Sequence, residues 1–305
     1  MKVLVCASGN RDTLSPFVKE QAESLKKLDI EIDYFLIEGK GVCGYLKNIP
    51  AFRNMVDKGK YSLVHAHYGL SGLFATFQRK IPVIITFHGS DIHKKTNRPF
   101  SLLASRFSHK NIFVHPMQAH KLHLKQKDTT VIPCGVDLKT FTPSDKKNAR
   151  EKMGWDLNKK YILFSSHFNN PIKNVSLALN AIDKIDQDIE LIELKGFTKK
   201  EVALRMNAAD LLLITSFSET GPLVAKEAMA CNCPIVSTNV GDVKTLIHNT
   251  NLCFIVSNDP LNIQKKIELI LKNNDRTNGQ KKMPNYDLPH IAKRLKVIYK
   301  QCKIT

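Results

Sequence analysis

The chain has 305 residues, a length typical of two domains of about 150 residues each. Its hydrophobic fraction of 43% and charged fraction of 24% are those of an ordinary globular protein and exclude a disordered chain. No apolar run approaches the ~18–20 residues of a membrane-spanning helix, and residues 1–10 lack the apolar core of a signal peptide. We therefore expect a buried first strand and a cytoplasmic protein.

The net charge of +18 and the isoelectric point of about 9.5 favour anionic partners: nucleic acid, lipid headgroups or phosphorylated substrates. Lys and Arg are scattered along the chain without the aromatic residues of an RNA-binding pattern, which disfavours nucleic acid. The charge leaves peripheral contact with an anionic membrane open, so the expected location extends to the inner face of the membrane.

The seven cysteines are an odd number without the spacing of a disulfide framework. Cys231 and Cys233 have neither a partner pair nor a histidine cluster nearby, which disfavours a zinc site. We expect small buried thiols in a reducing compartment.

The first half of the chain alternates short apolar segments, typical of strands, with polar segments typical of helices. Predicted strands cover residues 3–6, 30–37, 61–65, 83–87, 111–114 and 130–132, and predicted helices cover 16–27 and 70–79. Ser15 is placed to cap the first helix, and Pro16 suits its first turn. Strand–helix alternation at this spacing predicts a mainly parallel sheet.

A polar, charged segment over residues 141–160 predicts a domain boundary. Further predicted strands then cover 161–165, 189–194, 211–215, 234–238 and 253–256, with helices at 175–185, 199–208, 224–230 and 261–271 and a last basic helix containing Ile291, Leu295 and Ile298. The pattern predicts an α/β protein of two tandem Rossmann-like domains facing across a cleft. We expect an N-terminal domain over 1–145, a C-terminal domain over 159–286, and a helix within 287–305 packing back towards the first domain.

Ligands of open α/β sheets bind at the carboxyl ends of the strands, so polar residues there are the candidates for a site. His65 and His67 follow one such strand, and we expect them to lie on opposite faces of it, to pack and hydrogen-bond, and to bind no metal. His88 ends the next strand, ahead of Gly89 and Asp91, and this arrangement favours a functional histidine. Asp91 could instead cap the following helix.

In the second half, Lys173 lies at a strand–helix junction, where its ammonium could bind a phosphate together with helix amides. A solitary lysine is more often a solvated surface group, and only its position at this junction makes Lys173 a candidate for a binding site. His167 in the same loop is a weaker candidate.

The stretch 216–236 places two carboxylates around a Gly-Pro turn that opens a helix. The amides of Gly221, Leu223 and Val224 lie at the helix N-terminus, which favours an anion. Glu227 could accept hydrogen bonds from a ribose diol, and Glu219 from sugar hydroxyls. Either glutamate alone would be a helix-start acid or a solvated loop residue. Together, on both sides of an anion-binding turn, they favour a site.

These motifs resemble those of group 1, or family 4, of the retaining nucleotide-sugar-dependent glycosyltransferases, which have the GT-B fold. The resemblance covers nearly the whole chain and is carried by the Glu-x7-Glu element 219–227 with EAMA following, HGSD at 88–91, PCGVD at 133–137, PIKN around Lys173, and VGDV at 240–243.

The resemblance implies that Glu227 holds the nucleotide ribose and that Glu219 contacts the donor sugar beside the reacting carbon. Lys173 and the amides of the Gly-Pro turn would neutralise the diphosphate leaving group, with His167 nearby. The turn containing Gly196 and Phe197 would lie against the base.

In the first domain, the resemblance implies that His88 reaches the donor sugar and helps to stabilise positive charge at the anomeric centre. Gly9, Asn10 and Arg11 would border the acceptor. Because Lys173 and a helix terminus counter the leaving-group charge, we expect neither a metal nor a cofactor beyond the nucleotide diphosphate sugar as co-substrate.

The implied function is hexose transfer to a glycan or lipid-linked acceptor in bacterial surface polysaccharide synthesis, with retention. Ser166 and His167 stand where the family often has Gly-Arg, and Pro222 removes one amide from the turn. These departures leave a second hypothesis: a catalytically impaired nucleotide-sugar-binding protein or membrane-surface scaffold. A nicotinamide-dependent oxidoreductase is disfavoured, since residues 7–10 lack the G-x-G-x-x-G fingerprint.

Overall fold

The computed structural model describes residues 1–9, 14–39, 41–122, 124 and 129–302. The chain divides into two compact units, one formed by Met1–Gly135 with Leu288–Thr305 and the other by Val136–Asp287. The last helix therefore belongs to the first unit. Within the described residues, no helix is long and apolar enough to cross a membrane.

The first unit contains a parallel sheet of six strands in the described residues, in the order β2-β1-β3-β4-β5-β6. Its strands are β1 (Lys2–Ser8), β2 (Glu31–Ile37), β3 (Leu63–His67), β4 (Val83–Phe87), β5 (Lys110–Phe113) and β6 (Thr129–Val131). One apolar cluster packs on each face of the sheet. Burial on both faces explains why these strands are nearly continuous apolar runs in the sequence.

Helices surround this sheet. They are α1 (Pro16–Lys26), α2 (Gly41–Lys47), α3 (Ile49–Gly59), α4 (Gly69–Thr76), α5 (Ser90–His93), α6 (Arg98–Phe107), α7 (Pro116–Lys121) and, after the second unit, α14 (Leu288–Gln301). Pro16 occupies the first turn of α1 as predicted, but Ser15 makes no side-chain capping bond. The strand predicted over 61–65 begins later, at Leu63, and this shift brings His67 into β3.

The last helix is held by both apolar and polar contacts within the first unit. Ile291 and Leu295 are fully buried in the same apolar cluster as Val3 of β1. The Arg294 guanidinium donates to the Val131 carbonyl at 2.7 Å, so α14 is also tied to the edge strand β6.

The second unit contains a five-stranded parallel sheet in the order β11-β10-β9-β7-β8. Its strands are β7 (Lys160–Phe164), β8 (Ile189–Glu193), β9 (Leu211–Ile214), β10 (Ile235–Thr238) and β11 (Cys253–Val256), and its helices are α8 (Lys146–Met153), α9 (Val175–Ile182), α10 (Lys199–Ala208), α11 (Leu223–Ala230), α12 (Val243–Ile247) and α13 (Pro260–Asn273). Short 3-10 helices cover Pro171–Lys173 and Gly279–Tyr286.

The segment 141–160, predicted as a domain boundary, is a folded part of the second unit and contains α8. The Arg150 side chain is 4% exposed and its guanidinium lies 2.8 Å from the Asp210 carboxylate. Asp210 also accepts from the Tyr161 amide at 2.7 Å. A buried ion pair was not foreseen because the segment is rich in charge, which by itself is typical of a linker.

None of the seven cysteines, all within the described residues, forms a disulfide. Cys6, Cys231 and Cys233 are buried, as expected of small apolar thiols, whereas Cys43 is exposed.

Candidate functional site

The topology of the second unit brings three loops to one edge of its sheet. Strands β10, β9 and β7 are neighbours and parallel, so the loops that follow them leave from the same carboxyl edge. These loops contain Lys173 after β7, Glu219 after β9 and Asp242 after β10. Carboxyl edges of parallel sheets are where such folds bind ligands, which makes these loops the candidate site.

The loop after β7 is shaped by side-chain hydrogen bonds. The Asn170 carboxamide accepts from the Ile172 amide and caps the 3-10 turn that ends at Lys173. Thr215 at the end of β9 donates to the carbonyls of Lys173 and Asn174, at 2.9 and 3.0 Å. Because its backbone is tied to β9, Lys173 projects from a fixed position.

Lys173 and Glu219, singled out separately in the sequence, form an ion pair. The Lys173 Nζ lies 2.5 Å from Glu219 Oε1, and the two side chains are 17% and 15% exposed. Ser216 Oγ donates to the same carboxylate oxygen at 2.8 Å. An ammonium has three N–H donors, so one bond to Glu219 leaves Lys173 able to bind a second anion.

The helix N-terminus predicted next to Glu219 is present. Pro222 is the N-cap residue of α11, which begins at Leu223, and both Leu223 and Val224 are partly exposed. The first amides of a helix have no partner within it and carry the positive end of its dipole, which favours an anion. Glu227 lies on α11 and is partly buried.

A buried ion pair beneath this turn was missed in the sequence. Lys226 on α11 is 1% exposed, and its Nζ lies 3.0 Å from Asp242 Oδ2. A side chain on Gly221 would contact the Asp242 carboxylate, and one on Gly241, whose φ is +53°, would overlap the Thr220 carbonyl. The loop after β10 therefore packs directly under the Gly-Pro turn, with Lys226 neutralising the carboxylate that approaches it.

The turn after β8 is the position expected to lie against a base. Gly196 has a φ of +76°, a left-handed conformation that favours glycine. The Arg205 guanidinium carbon lies 3.4 Å from the centre of the Phe197 ring, so the cation covers one face of that ring. Strand β8 pairs with β7, which makes this turn a neighbour of the loop that contains His167. Within the described residues, the buried His167 Nδ1 has no hydrogen-bond partner.

In the first unit, His65 and His67 lie on the same face of β3, and the prediction of opposite faces is wrong. Their ring centres are 4.5 Å apart. Side chains alternate along a strand, so residues two apart share a face. His65 Nδ1 is 2.6 Å from Tyr299 Oη and its Nε2 is 2.8 Å from Thr86 Oγ1, so it packs and hydrogen-bonds as expected.

His67 joins this cluster to His88. His67 Nδ1 lies 3.0 Å from His88 Nε2, so one ring donates and the other accepts. The ring centres of Phe17 and Tyr68 are each 4.7 Å from that of His88. Burial lowers the pKa of His65 and of His88 to about 3, and lowers that of His67 well below its ordinary value. Near pH 7 all three imidazoles are therefore neutral.

Asp91 connects the loops after β3 and β4. Its carboxylate accepts from the Gly69 amide at 3.0 Å and the Gly89 amide at 2.7 Å. Gly89, not Asp91, is the N-cap residue of α5, so the alternative of Asp91 as an N-cap is wrong. Asp91 instead ties the turn that follows His88 to the start of α4.

The remaining predicted residues of the first unit follow β1. The Gly9 amide donates to the Ile37 carbonyl at 2.8 Å, which fixes the start of this loop against β2. Asn10 and Arg11 lie outside the described residues. In the part of the chain that the structure describes, no three His, Cys, Asp or Glu side chains are grouped to hold a metal ion.

Family models match both units. The model of Glycosyltransferase Family 4 matches residues 2–140, and the model of Glycosyl transferases group 1 matches residues 189–286, together more than half of the chain. The chain belongs to the group 1, family 4 glycosyltransferases. The predictions that the chain belongs to this family and that its enzyme class is glycosyltransferase are thus confirmed.

Curated relatives are also named glycosyltransferases, and their sequence identity to this chain is low. A D-inositol 3-phosphate glycosyltransferase of Xylanimonas cellulosilytica is 24% identical over an alignment of 282 positions that covers 72% of this chain and 66% of that protein. A putative teichuronic acid biosynthesis glycosyltransferase of Bacillus subtilis is 24% identical over an alignment of 212 positions that covers 60% of this chain and 54% of that protein. The chain thus spans little more than half to two thirds of the length of these two relatives.

Solved structures share the fold over nearly the whole chain. Sucrose-phosphate synthase from Thermosynechococcus elongatus superposes with a TM-score of 0.81 at 19% identity, covering 98% of each chain. Alr3699/HepE of Anabaena, solved in complex with UDP, superposes with a TM-score of 0.79 at 17% identity, covering 99% of this chain and 100% of that one. The prediction of two Rossmann-like domains of the GT-B class is confirmed.

Proposed function

We propose that the protein transfers a hexose from a nucleotide diphosphate sugar to a glycan or lipid-linked acceptor. One observation carries the proposal: Lys173 and Glu219 form an ion pair beside the N-terminus of α11, at the carboxyl edge of β7 and β9. A cation and helix amides suit a diphosphate, and a carboxylate next to them suits the hydroxyls of the attached sugar.

The proposed chemistry is stabilisation of a leaving group. The bond between the anomeric carbon and the β-phosphate oxygen breaks, the acceptor oxygen bonds to that carbon, and the acceptor proton leaves with the phosphate or solvent. Lys173 and the amides of Leu223 and Val224 counter the charge that develops on the diphosphate, a role that needs no metal ion. We propose retention of configuration, as the family implies.

The neutral histidine of the first unit suits a different part of the same reaction. Positive charge develops at the anomeric carbon as the leaving group departs. A neutral imidazole at His88, whose pKa is lowered to about 3, adds no positive charge to oppose it. We propose that His88 contacts the donor sugar and that Glu219 positions its hydroxyls.

Other sites complete the proposal. We assign binding of the ribose to Glu227 and binding of the base to the turn of Gly196 and Phe197. Binding of the acceptor is assigned to Gly9, Asn10 and Arg11. The Anabaena structure with UDP-glucose makes UDP the first nucleotide to try. The name of the Bacillus relative supports an acceptor in bacterial surface polysaccharide synthesis.

The first experiment measures thermal shifts with UDP, GDP, ADP and their sugars, because a ligand that binds the folded state stabilises it. Turnover of the stabilising donor is then measured for Glu227→Ala, which we expect to abolish it. Glu151→Ala, a change at an exposed glutamate of the same unit, is the matched control. Turnover of Glu227→Ala equal to that of the unmodified protein would refute the proposal.

A second candidate function is donor binding without transfer, on a protein that acts as a scaffold at the cytoplasmic face of an anionic membrane. It is favoured by His167, which stands where the family often has arginine and whose buried Nδ1 has no hydrogen-bond partner among the described residues, and by Pro222, which lacks an amide N–H. Calorimetry that detects donor binding, with neither hydrolysis nor transfer for any acceptor, would support this candidate over the first.

A further inference from the structure

Helices α4 and α6 of the first unit carry the same apolar pattern, and five of its six side chains are exposed to solvent. Each has three apolar side chains at positions i, i+3 and i+7, which share one face of a helix. In α4 and its C-cap these are Leu70, Leu73 and Phe77, and in α6 they are Phe100, Leu103 and Phe107. We call these six side chains the α4–α6 face.

Small residues explain why this face points outwards. Gly69 at the start of α4 lies so close to α6 that a side chain there would overlap Ser101. Ser101 and Ala104 of α6 are fully buried, so the two helices pack through their small residues. The large apolar side chains are left at the surface, where Phe77 is 42% and Phe107 57% exposed.

Four of the six side chains of the α4–α6 face lie on one continuous surface. Phe77, Leu103 and Phe107 line a common groove of about 420 Å³, together with Leu73 and Ile81. Solvent-exposed apolar patches that are contiguous mark interaction sites far more often than scattered apolar residues do.

The stretch of sequence that contains α4 and α6 carries almost entirely positive charge. Between Gly59 and Lys127 the sequence has a single acidic residue, Asp91, which is 4% exposed and bonded to backbone amides. Over the same stretch the basic residues are Lys60, Arg79, Lys80, Lys94, Lys95, Arg98, Arg106, Lys110, Lys121 and Lys125. Asp57 on α3 is paired with Lys80 at 2.6 Å, so it neutralises one of these cations only.

We propose that the α4–α6 face docks on an anionic lipid surface, with its aromatic and leucine side chains in the interface and the surrounding Arg and Lys on lipid phosphates. An exposed apolar face rimmed by cations is the combination such a surface binds. A second copy of the chain would oppose one basic surface to another, which is unfavourable. Nucleic acid would use the cations but leave the contiguous apolar side chains without a partner. This inference takes up the peripheral membrane contact that the net charge left open, and it is independent of the proposed donor chemistry.

The test is flotation of the protein with vesicles of phosphatidylcholine alone and with vesicles that contain about a third phosphatidylglycerol, whose negative charge attracts basic residues near the surface. We expect binding to the anionic vesicles, weakened by salt, and at least tenfold weaker binding for Phe77→Ser/Phe107→Ser and for Arg79→Glu/Arg106→Glu. Leu179→Ser, at a leucine 50% exposed on α9 of the second unit, is the matched control and should bind normally.

A second readout does not depend on loss of binding. Trp155 is the single tryptophan, so Phe107→Trp in a Trp155→Phe background places one reporter on the α4–α6 face. We expect its emission to shift to the blue with anionic vesicles.

Absence of vesicle binding by the unmodified protein, or normal binding by both double variants, would overturn the inference. So would self-association or oligonucleotide binding that the same variants abolish without any effect on vesicles. Thermal shifts with UDP, measured on the same variants, keep failure of this inference distinct from failure of the proposed donor binding.

Discussion

The two units build their polar clusters in opposite ways. In the first, His65, His67 and His88 are neutral rings joined to Thr86 and Tyr299 at the ends of buried strands. In the second, the side chains at the corresponding sheet edge are charged and come in pairs, Lys173 with Glu219 and Lys226 with Asp242, on loops and a helix.

The difference follows from burial. A histidine can enter an apolar sheet because it can give up its charge, and the lowered pKa of His65 and His67 is the consequence. Lysine and aspartate keep their charge and tolerate burial only as a pair. The stability that the histidine cluster gives the first unit should therefore depend on pH. The stability that the ion pairs give the second unit should depend on both partners being present.

The largest expected effect is on the second unit. Lys226→Met leaves the Asp242 carboxylate, 14% exposed, without its cation, which should cost about 3–5 kcal/mol of the free energy of unfolding. Urea unfolding followed by Trp155 fluorescence measures it, because the single tryptophan lies in this unit. In the double variant Lys226→Met/Asp242→Asn no charge is left unpaired, so most of the loss should be recovered. A single variant as stable as the unmodified protein would show that the pair contributes nothing.

The second effect is a pH dependence of the stability of the first unit. The folded pKa of His65 is about 3 and that of His67 is also lowered, so the unfolded chain binds more protons at moderately acidic pH. The stability from neutral histidines is complete above pH ~6.5 and is lost as pH falls from there towards 3, by up to about 1.4 kcal/mol per pH unit for each residue.

Urea unfolding followed by far-UV circular dichroism at pH 6.5 and 5.0 tests this, with Trp155 fluorescence separating the second unit. The slope of the free energy of unfolding against pH gives the number of protons taken up on unfolding. His65→Gln should lower that number by about one, whereas His290→Gln, at an exposed histidine of α14, should leave it unchanged. Equal slopes for all three proteins would contradict the assignment.

The sequence predicted the strands closely because strands buried on both faces are continuous apolar runs. It did not predict α6, whose large apolar residues face solvent, or α8, which buries Arg150 beside Ala149. In α6 the usual relation between large apolar residues and the core is reversed, and in α8 the largest buried side chain is charged.

Part of the candidate site was also accessible from the sequence. Lys173 and Glu219 were recognised because each follows a strand, and parallel strands end at one edge. Lys226 was not, since a lysine on a helix is usually solvated and its burial depends on Asp242 from a distant loop. The hydrogen bond between His67 and His88 likewise depends on the pairing of β3 with β4, which no local pattern specifies.

A smaller effect concerns ligand binding by the second unit. Lys173→Ala should weaken binding of the preferred nucleoside diphosphate about tenfold, equivalent to ~1.4 kcal/mol, because one charge-assisted bond to phosphate is lost. Isothermal titration calorimetry measures it, with Lys200→Ala on the exposed side of α10 as control. Undiminished affinity in Lys173→Ala would remove this lysine from the phosphate site while leaving its bond to Glu219 as a structural contact.

The smallest effect separates the polar from the apolar contribution of α14 to the first unit. Tyr299→Phe removes the 2.6 Å hydrogen bond to His65 and leaves a buried ring nitrogen without a partner, at a cost of about 1 kcal/mol of the free energy of unfolding. Tyr34→Phe is the matched control, since the buried Tyr34 hydroxyl has no partner in the described structure and its removal should cost nothing. If the two variants unfold at the same urea concentration, the bond to His65 contributes nothing, and α14 is held by burial of Ile291, Leu295 and the tyrosine ring and by the bond from Arg294 to Val131.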